Sequence, residues 1–396
     1  MRPAVLVAGA AVWGGCADAP ADERGPFSVK DSAGIEVVDV WEPLAAGDDG
    51  WRLTGEPLAR IGAVAGQPEF QFSWIVGALR LAPDTIVVLD DESLELRFFD
   101  ALGGHLVTVG GPGEGPGELT WAGHLSPFAD GVQLKGGDKR IRFSASGDLI
   151  ADERFDWTPL QQFLCPFTFF GDDVFLCEYV PGGVQAGDGM RAPRYRLFRT
   201  DWKGERRDTL GLFSGSSTAS YRTSDGMFRT VEDPFARQDL IAVGGSPPIV
   251  AVLSRDRYEL TLMTTSGEVL RVVRRHGAGQ PGAEALEDIH ARATALTPGL
   301  TPAELADLVP APETLPAGNA LLVDRIANSW VGRLSLAAAG AEHDTYEVFL
   351  ADGRLQGEVT VPAGARLMDV GDDYVLLVRS DEFDVPFVEL YGLIKD

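Results

Sequence analysis

The sequence predicts an all-β fold, a six-bladed β-propeller of four-stranded antiparallel blades that carries a small helical insertion. Three observations predict it. Short apolar runs alternate with glycine turns along most of the 396 residues, the runs that end a unit recur at a regular interval, and a glycine- and proline-rich connector reappears. The connector is clearest at 110–119 (GGPGEGPGEL), with shorter echoes at 62–70 and 276–284. A connector motif that recurs along the chain in this way indicates a fold built from repeats.

Composition supports a turn-rich fold and argues against one class of partner. Glycine (47) and proline (25) together exceed their usual share, and the formal net charge is -25. Nucleic-acid affinity depends mostly on Lys and Arg neutralising phosphates, so we expect no nucleic-acid partner for so acidic a chain. The acidity keeps the protein soluble and also favours cations.

Residues 1–16 predict a lipoprotein signal peptide. Arg2 supplies a positive start, and the apolar stretch 4–13 is too short to span a bilayer, which takes about 20 residues. Two glycines then precede Cys16, which resembles the lipobox in which the cysteine becomes the lipidated first residue. Trp13 stands where a lipobox usually has an aliphatic residue. The alternative is a short buried strand with a chance cysteine.

Export would place the chain in an oxidising compartment, periplasmic or at the cell surface. The residue after Cys16 is Ala17 rather than the Asp that favours inner-membrane retention, so a lipid anchor in the outer membrane is expected. Cys165 and Cys177 flank Gly171-Asp172 symmetrically. A hairpin turning there would bring their Cβ atoms to about 4.5–5.5 Å, so a disulfide is predicted. The alternative is two buried free thiols.

Residues 17–50 are predicted to form a tether followed by an edge strand at 34–41, and residues 51–396 to form the propeller. Runs that end a unit close at six positions, which predicts six blades. These positions are Ile61, Val109, Phe155, Leu210, Arg274 and Val361. The first intervals are about 46–48 residues, close to the roughly 40–50 of a propeller blade.

Ring closure follows from the two ends of the pattern. The run 52–61 has no inner strands before it, and the C-terminal runs between 367 and 393 have no outer strand after them. Pairing the N-terminal strand with the C-terminal blade closes the ring and removes exposed sheet edges.

Two stretches of the sequence carry a specific family resemblance. The sequence GEGPGEL after a D-x-G turn, and the C-terminal GDDYVLLVRSDEFDVPFVELY, resemble bacterial six-bladed β-propeller lipoproteins, which are relatives of the NHL-repeat propellers. The resemblance covers about Trp51 to Tyr391. It implies the propeller fold and a periplasmic or surface-anchored binding module, and it implies no particular activity.

The segment 275–318 does not fit a blade and is predicted to be a helical insertion. Residues 284–296 have helical periodicity, and 301–308 begin with a capping box of Thr301 and Glu304 around a proline. The insertion either caps a face and binds a partner or is a packing decoration.

Sequence motifs predict no catalytic, cofactor-binding or metal-binding residues. The G-x-G-x-x-G at 277–282 is interpreted as a blade connector, because its GQP recurs at 66–68 and no βαβ pattern surrounds it. No G-x-S-x-G elbow occurs, and the five histidines are scattered without ligand spacing.

Three functions remain open. The leading hypothesis is a lipid-anchored, extracytoplasmic, non-catalytic binding or scaffold module for a peptide, glycan or partner protein. The second is a metal-dependent lactonase-like hydrolase at the central channel, and the third is a purely structural envelope protein. Carboxylates available for a metal are Asp90, Asp91, Glu92, Asp138, Asp372 and Asp373. The same residue types also favour hairpin turns, and the only two asparagines, Asn319 and Asn328, fall in one blade.

The order of the strands also places a few polar and aromatic residues near the mouth of the channel. Trp121 and His124 follow the main connector, and Arg140 and Arg142 lie on a later strand of the same blade. Side chains near the ends of inner strands can face the channel, although core packing is the expected role of Trp121.

Overall fold

The computed structural model contains six β-sheets that stand as blades around a central channel, with a seventh, small sheet beside the ring. The residues that the structure describes are 25–45, 50–81, 84–136, 138–155, 168–180, 190–204, 207–223, 226–277, 289, 291, 293–294, 297, 300–312, 315–333 and 343–395. The predicted all-β, six-bladed propeller is confirmed.

The first four strands complete sheets whose other strands come later in the chain. They are β1 (Phe27–Ser32), β2 (Ile35–Val40), β3 (Arg52–Leu53) and β4 (Ala59–Ile61). Blade 1 follows with β5 (Ile75–Leu81), β6 (Thr85–Asp90), β7 (Glu95–Asp100) and β8 (His105–Gly110). Blade 2 has β9 (Leu125–Phe128), β10 (Gly131–Gly136), β11 (Lys139–Phe143) and β12 (Leu149–Arg154). In each blade the innermost strand comes first.

Blade 3 is interrupted by a strand of the small sheet. In chain order the strands are β13 (Thr168–Phe170), β14 (Asp173–Val180), β15 (Met190–Arg191), β16 (Arg194–Thr200) and β17 (Arg207–Ser214), of which β15 belongs to the small sheet. The small sheet is completed by β18 (Thr218–Arg222) and β19 (Phe228–Glu232).

The second half of the ring repeats the same order. Blade 4 has β20 (Leu240–Gly244), β21 (Ile249–Ser254), β22 (Glu259–Thr264) and β23 (Val269–Arg275), followed by helix α1 (Pro302–Leu308). Blade 5 has β24 (Ala320–Val323), β25 (Ser329–Gly332), β26 (His343–Phe349) and β27 (Leu355–Pro362). Blade 6 has β28 (Arg366–Val370), β29 (Tyr374–Ser380) and β30 (Pro386–Ile394).

The ring is closed by the N-terminal run, as predicted. Strand β30 pairs with β29 on one side and with β3 and β4 on the other, with Ile61 opposite Val388. Ile61 is fully buried in an apolar cluster that joins blade 6 to blade 1 through Phe72 and Phe99. Closure therefore depends on backbone pairing and on apolar burial at the same place.

Blade 4 is wider than predicted. Strand β2 pairs in parallel with the outer strand β23, and β1 pairs with β2, so this sheet has six strands. The run at 34–41 was expected to be an edge strand, but it is flanked on both sides and Phe27–Ser32 forms the edge. Its valines explain this, because Val38 and Val40 are fully buried and such a continuous apolar run suits an interior strand.

Connectors are held by buried cations from the third strand of the blade that they lead into. The ammonium of Lys139 donates to the carbonyls of Glu114 (3.1 Å), Gly115 (2.7 Å) and Glu118 (3.2 Å), and to Asp152 (3.1 Å). In blade 1 the guanidinium of Arg97 plays the same part, with its Nη1 donating to the carbonyls of Pro68, Glu69 and Gln71 at 3.3, 3.3 and 2.6 Å. The connector at 110–119 thus works as a blade joint, since its carbonyls face a protein cation.

A side lobe, formed by β15, β18, β19 and α1, packs beside blades 3 and 4. Tyr221, Val231 and Phe235 from the hairpin region bury apolar surface together with Leu305 and Val309 from the helix region. The capping box predicted for α1 is present, with Thr301 as N-cap and Glu304 as its reciprocal partner. Most of the other predicted helix, 284–296, lies outside the described residues. Where the structure describes the chain, no helix has the length and apolar character needed to cross a bilayer.

Candidate functional site

The central channel has a volume of about 1150 Å³ and is lined by all six innermost strands. These strands begin on the side where the outer strand of one blade leads into the next blade, which we call the connector face. They end in the tight turns of the opposite side, the turn face. Most of the wall is apolar; its members include Leu79, Leu125, Phe128, Phe170, Leu240, Leu322, Leu367 and Met368. Polar groups are concentrated toward the two mouths.

At the connector face, polar groups come from three blades. His124 Nε2 lies 3.0 Å from the Thr168 hydroxyl, which links blades 2 and 3. Asp239 accepts from the amide of Ser214 at 2.8 Å, and burial raises the pKa of this carboxyl above its usual value. The hydroxyl of Ser126, in the channel wall, has no hydrogen-bond partner in the described part of the chain. This mouth therefore offers several directed polar groups above an apolar wall.

At the turn face, Asp369 ties three blades together. It accepts from the amide of Arg80 in blade 1 (2.8 Å), from the Arg325 guanidinium next to blade 5 (2.8 Å) and from the Tyr374 hydroxyl in blade 6 (2.8 Å). Burial and the adjacent Asp369 carboxylate raise the pKa of Tyr374 far above its usual value. Both oxygens of this carboxylate accept hydrogen bonds from residues of the ring, so the cluster is a structural junction.

The third channel carboxylate, Asp324, also has a structural role. It accepts from the amides of Ile326 (3.0 Å) and Asn328 (2.8 Å), from the Asn328 side chain (2.8 Å) and from the Trp330 indole (3.1 Å). These bonds shape the turn between β24 and β25. Burial is the larger influence and raises the pKa of Asp324.

The sequence-predicted carboxylates lie in turns or, for Asp90, at the end of a strand. Asp90 accepts from the amides of Ser73 and Glu92, and Asp91 accepts from the Ala122 amide at 3.0 Å. Asp138 pairs with Arg154, Asp372 with Lys395 and Asp373 with Arg80. The local hydrogen bonds that make Asp a turn residue account for most of these positions.

A metal centre of the kind that a lactonase-like site implies does not fit these residues. Hard cations need several carboxylate or carbonyl oxygens converging on one point. Across the described ranges, no three His, Cys, Asp or Glu side chains come together in that way. Asn319 lines a side cleft. The Asn328 side chain donates to Asp324 and accepts from the amide of Ala351, so it serves the Asp324 turn.

Trp121 was expected to pack in the core, and this was wrong: its side chain is 46% exposed, four residues before the inner strand of blade 2. The ammonium of Lys135 lies 4.7 Å from its ring centroid. Arg140 and Arg142 do not line the channel and form ion pairs with Glu153 and Asp172, respectively. Sequence reasoning did not identify Trp74, which precedes the inner strand of blade 1 and is 61% exposed.

Of the three cysteines, only Cys177 lies among the residues that the structure describes. Cys177 is buried on β14, within the core shared by blades 3 and 4. Cys165 and Cys16 lie outside the described residues, so the disulfide and the lipid anchor stay predictions.

The sequence matches no protein-family model and no curated protein. Solved structures do match. A member of the DUF4221 family from Bacteroides vulgatus superposes with a TM-score of 0.50 at 9% identity, over 88% of this chain and 100% of that chain. A Bacteroides fragilis protein assigned as exported gives 0.45 at 12% identity, over 90% and 99% of the two chains. A gluconolactonase from Xanthomonas campestris gives 0.40 at 11% identity, over 82% and 87%. At such identities the likeness is one of fold, and it agrees with the propeller that the NHL-like resemblance implied.

Proposed function

We propose that the protein is an exported, lipid-anchored β-propeller that works as a binding module, with its ligand entering the channel from the connector face. The observation that carries the proposal is the channel itself, a concave space of about 1150 Å³ with an apolar wall and a few polar groups at one mouth. Small-ligand sites usually have this composition, at volumes of about 300–1,000 Å³.

We prefer binding to hydrolysis because the carboxylates of the channel already accept hydrogen bonds from the protein. Of the channel carboxylates, Asp324 and Asp369 are committed to a turn and to an inter-blade junction, and Asp239 is bonded to a backbone amide. A hydrolytic site needs a nucleophile or a polarising group beside a base within hydrogen-bond reach. The Thr168 hydroxyl and His124 have this spacing, but the mostly apolar wall around them suits recognition of a ligand better than it suits this chemistry.

Export and anchoring are supported by the first sixteen residues and by position. Ten residues separate Cys16 from β1, which is the outer edge strand of the blade 4 sheet. A lipid on Cys16 would thus hold the ring beside a membrane by a short segment. Labelling with radioactive palmitate should mark the native protein and leave a Cys16→Ala variant unmarked.

The binding proposal is tested by obstructing the mouth. Ser216 lines the channel at the connector face, and Ser216→Trp places an indole there. Ser220→Trp, on the exposed surface of the side lobe, is the matched control. Native mass spectrometry of the full chain, incubated with an envelope extract, should show an added ligand mass for the native protein and for the control. A ligand mass unchanged by Ser216→Trp would overturn the channel as the site.

A further inference from the structure

We propose that the channel binds a hydrophobic amine, whose ammonium group pairs with the Asp239 carboxylate at the connector face and whose apolar body fills a cleft between blades 3 and 4. The inference rests on the proposed function and specifies its ligand. We call this space the blade 3–4 cleft. It is lined by Phe175, Tyr195, Leu197 and Phe213 from blade 3 and by Ile241 and Val243 from blade 4.

The blade 3–4 cleft is an outward branch of the channel. In the other blades the innermost strand forms most of the wall, whereas in blade 3 the wall also includes the second, third and fourth strands. Phe175, Leu197 and Phe213 come from these three strands in turn. Because the side chains on both sides of the cleft are largely apolar, it favours a ligand with an apolar body.

Two aromatic rings lie near the connector end of the cleft. Tyr195 and Phe213 are direct cross-strand partners on β16 and β17, and both are only partly buried. A Cβ added at Gly211 would lie 2.9 Å from a ring carbon of Phe213, and a Cβ added at Gly215 would overlap the Tyr195 ring. The two glycines thus let the rings lie close to the backbone. Aromatic rings attract cations as well as apolar groups.

No short connector crosses the chain between blades 3 and 4. The connectors that lead into blades 1 and 2 are held against their blades by Arg97 and Lys139. Between blades 3 and 4 the chain instead runs out into the side lobe, and none of the described residues between Ser216 and Gln238 lines the channel. The connector end of the cleft therefore opens into the mouth.

Asp239 is held at this opening by its neighbour in the sheet. Its amide donates to the Ser214 carbonyl at 2.9 Å, and its carboxylate accepts from the Ser214 amide at 2.8 Å. Ser214 directly follows Phe213, so the carboxylate lies next to the aromatic end of the cleft. The position is fixed without a ligand, which lowers the ordering cost of binding.

The Asp239 carboxylate makes no ion pair with any residue that the structure describes. Its hydrogen-bond donors, the Ser214 amide and the Ser254 side chain, are neutral. Arg257 lies close enough to influence it but pairs with Glu259 at 3.4 Å. Burial raises the pKa of Asp239 above its usual value, because a partly desolvated charge has no counter-ion. A ligand ammonium would supply that counter-ion through charge-assisted hydrogen bonds.

The other charges of the channel oppose an acidic ligand. Among the described residues of the wall, Arg325 is the only lysine or arginine, and it lies at the turn face bound to Asp369. Asp324 adds a further carboxylate, and the net charge of the chain is -25. Such a field attracts cations. A neutral apolar ligand would fill the cleft but leave Asp239 without a counter-ion, so an amine fits better.

Calorimetric titration of the full-length protein tests the proposal. The probes are phenethylamine, tryptamine and octylamine, each compared with an alcohol and a carboxylate that have a similar apolar body. At least one amine should bind about tenfold more tightly than its alcohol, because a charge-assisted hydrogen bond is worth about tenfold more than a neutral one. The matching carboxylate should bind more weakly than either. This comparison needs only the native protein.

Two variants separate the charge from the apolar wall. Asp239→Asn should weaken binding of the amine about tenfold and leave the alcohol unchanged, which would also show that the cleft is intact. Glu268→Gln is the matched control, since it removes one negative charge from an exposed turn of blade 4. Phe213→Ala should weaken both amine and alcohol about fivefold. Its control is Phe228→Ala, because Phe228 is an exposed ring in the side lobe.

Three results would overturn the hydrophobic amine as ligand: no binding of any amine, equal binding of amine and alcohol, or equal binding of the amine to the native protein and to Asp239→Asn. If an extract ligand is still lost from Ser216→Trp in any of these cases, the binding function stands and only its ligand class is wrong.

Discussion

Replacing Lys139 by methionine should loosen the joint between blades 1 and 2. Its ammonium is 4% exposed and contacts three connector carbonyls and Asp152, which is itself 16% exposed. Loss of one member of a buried ion pair costs about 3–5 kcal/mol. Water can reach the partly exposed carboxylate and recover some of this energy, so we expect Lys139→Met to lower the free energy of unfolding by about 2–4 kcal/mol.

The measurement is urea unfolding of the native and variant proteins, followed by tryptophan fluorescence. Lys203→Met is the matched control, because Lys203 is exposed in a blade 3 turn and should change stability by less than about 0.5 kcal/mol. Adding Asp152→Leu to Lys139→Met should cost less than the two single changes combined, since no lone charge is then left buried. A cost below about 1 kcal/mol for Lys139→Met would refute the reasoning.

Three further predictions concern closure, the side lobe and alkaline pH. Ile61→Ala should lower the unfolding free energy by about 2–5 kcal/mol in urea titrations, whereas Leu58→Ala, 57% exposed in the same run, should change it little. Thr301→Ala removes the cap of α1 and should lower its local stability by about 1 kcal/mol in amide exchange; unchanged exchange would contradict this. Burial raises the pKa of four of the seven tyrosines, so they should ionise only as the chain unfolds above pH 10, where stability falls because the unfolded chain releases these protons first. The four are Tyr258, Tyr346, Tyr374 and Tyr391. Absorbance at 295 nm should show two phases, and one phase near pH 10 would count against the buried positions.

Much of the fold could be predicted because the blade repeat is local. The strand–turn rhythm, the six unit-ending runs and the capping box at Thr301 each depend on residues close in sequence. Ring closure could be predicted as well, because a missing outer strand at one end matched a surplus strand at the other. The parallel pairing of β2 with β23 could not, since nothing in the valine-rich run specifies which distant strand it joins.

The candidate site was harder to predict because exposure is a tertiary property. Trp121 has the apolar character of a core residue, and only the tertiary structure shows that its ring lies against Gly123 and near the Lys135 ammonium with nearly half of its surface exposed. The hairpin β18–β19 was missed for a related reason. Its residues alternate weakly, and its buried face exists only because α1 packs against it.

The closing pair of strands also sets the order in which the ring is made during synthesis. Ile61 is among the earliest blade residues to leave the ribosome, but its partner Val388 is among the last. Until that partner emerges, Ala59 and Ile61 have no sheet to join and blade 1 keeps one side open. The ring is therefore completed only after translation, and a chain shortened before Pro386 would retain an unpaired edge that invites aggregation.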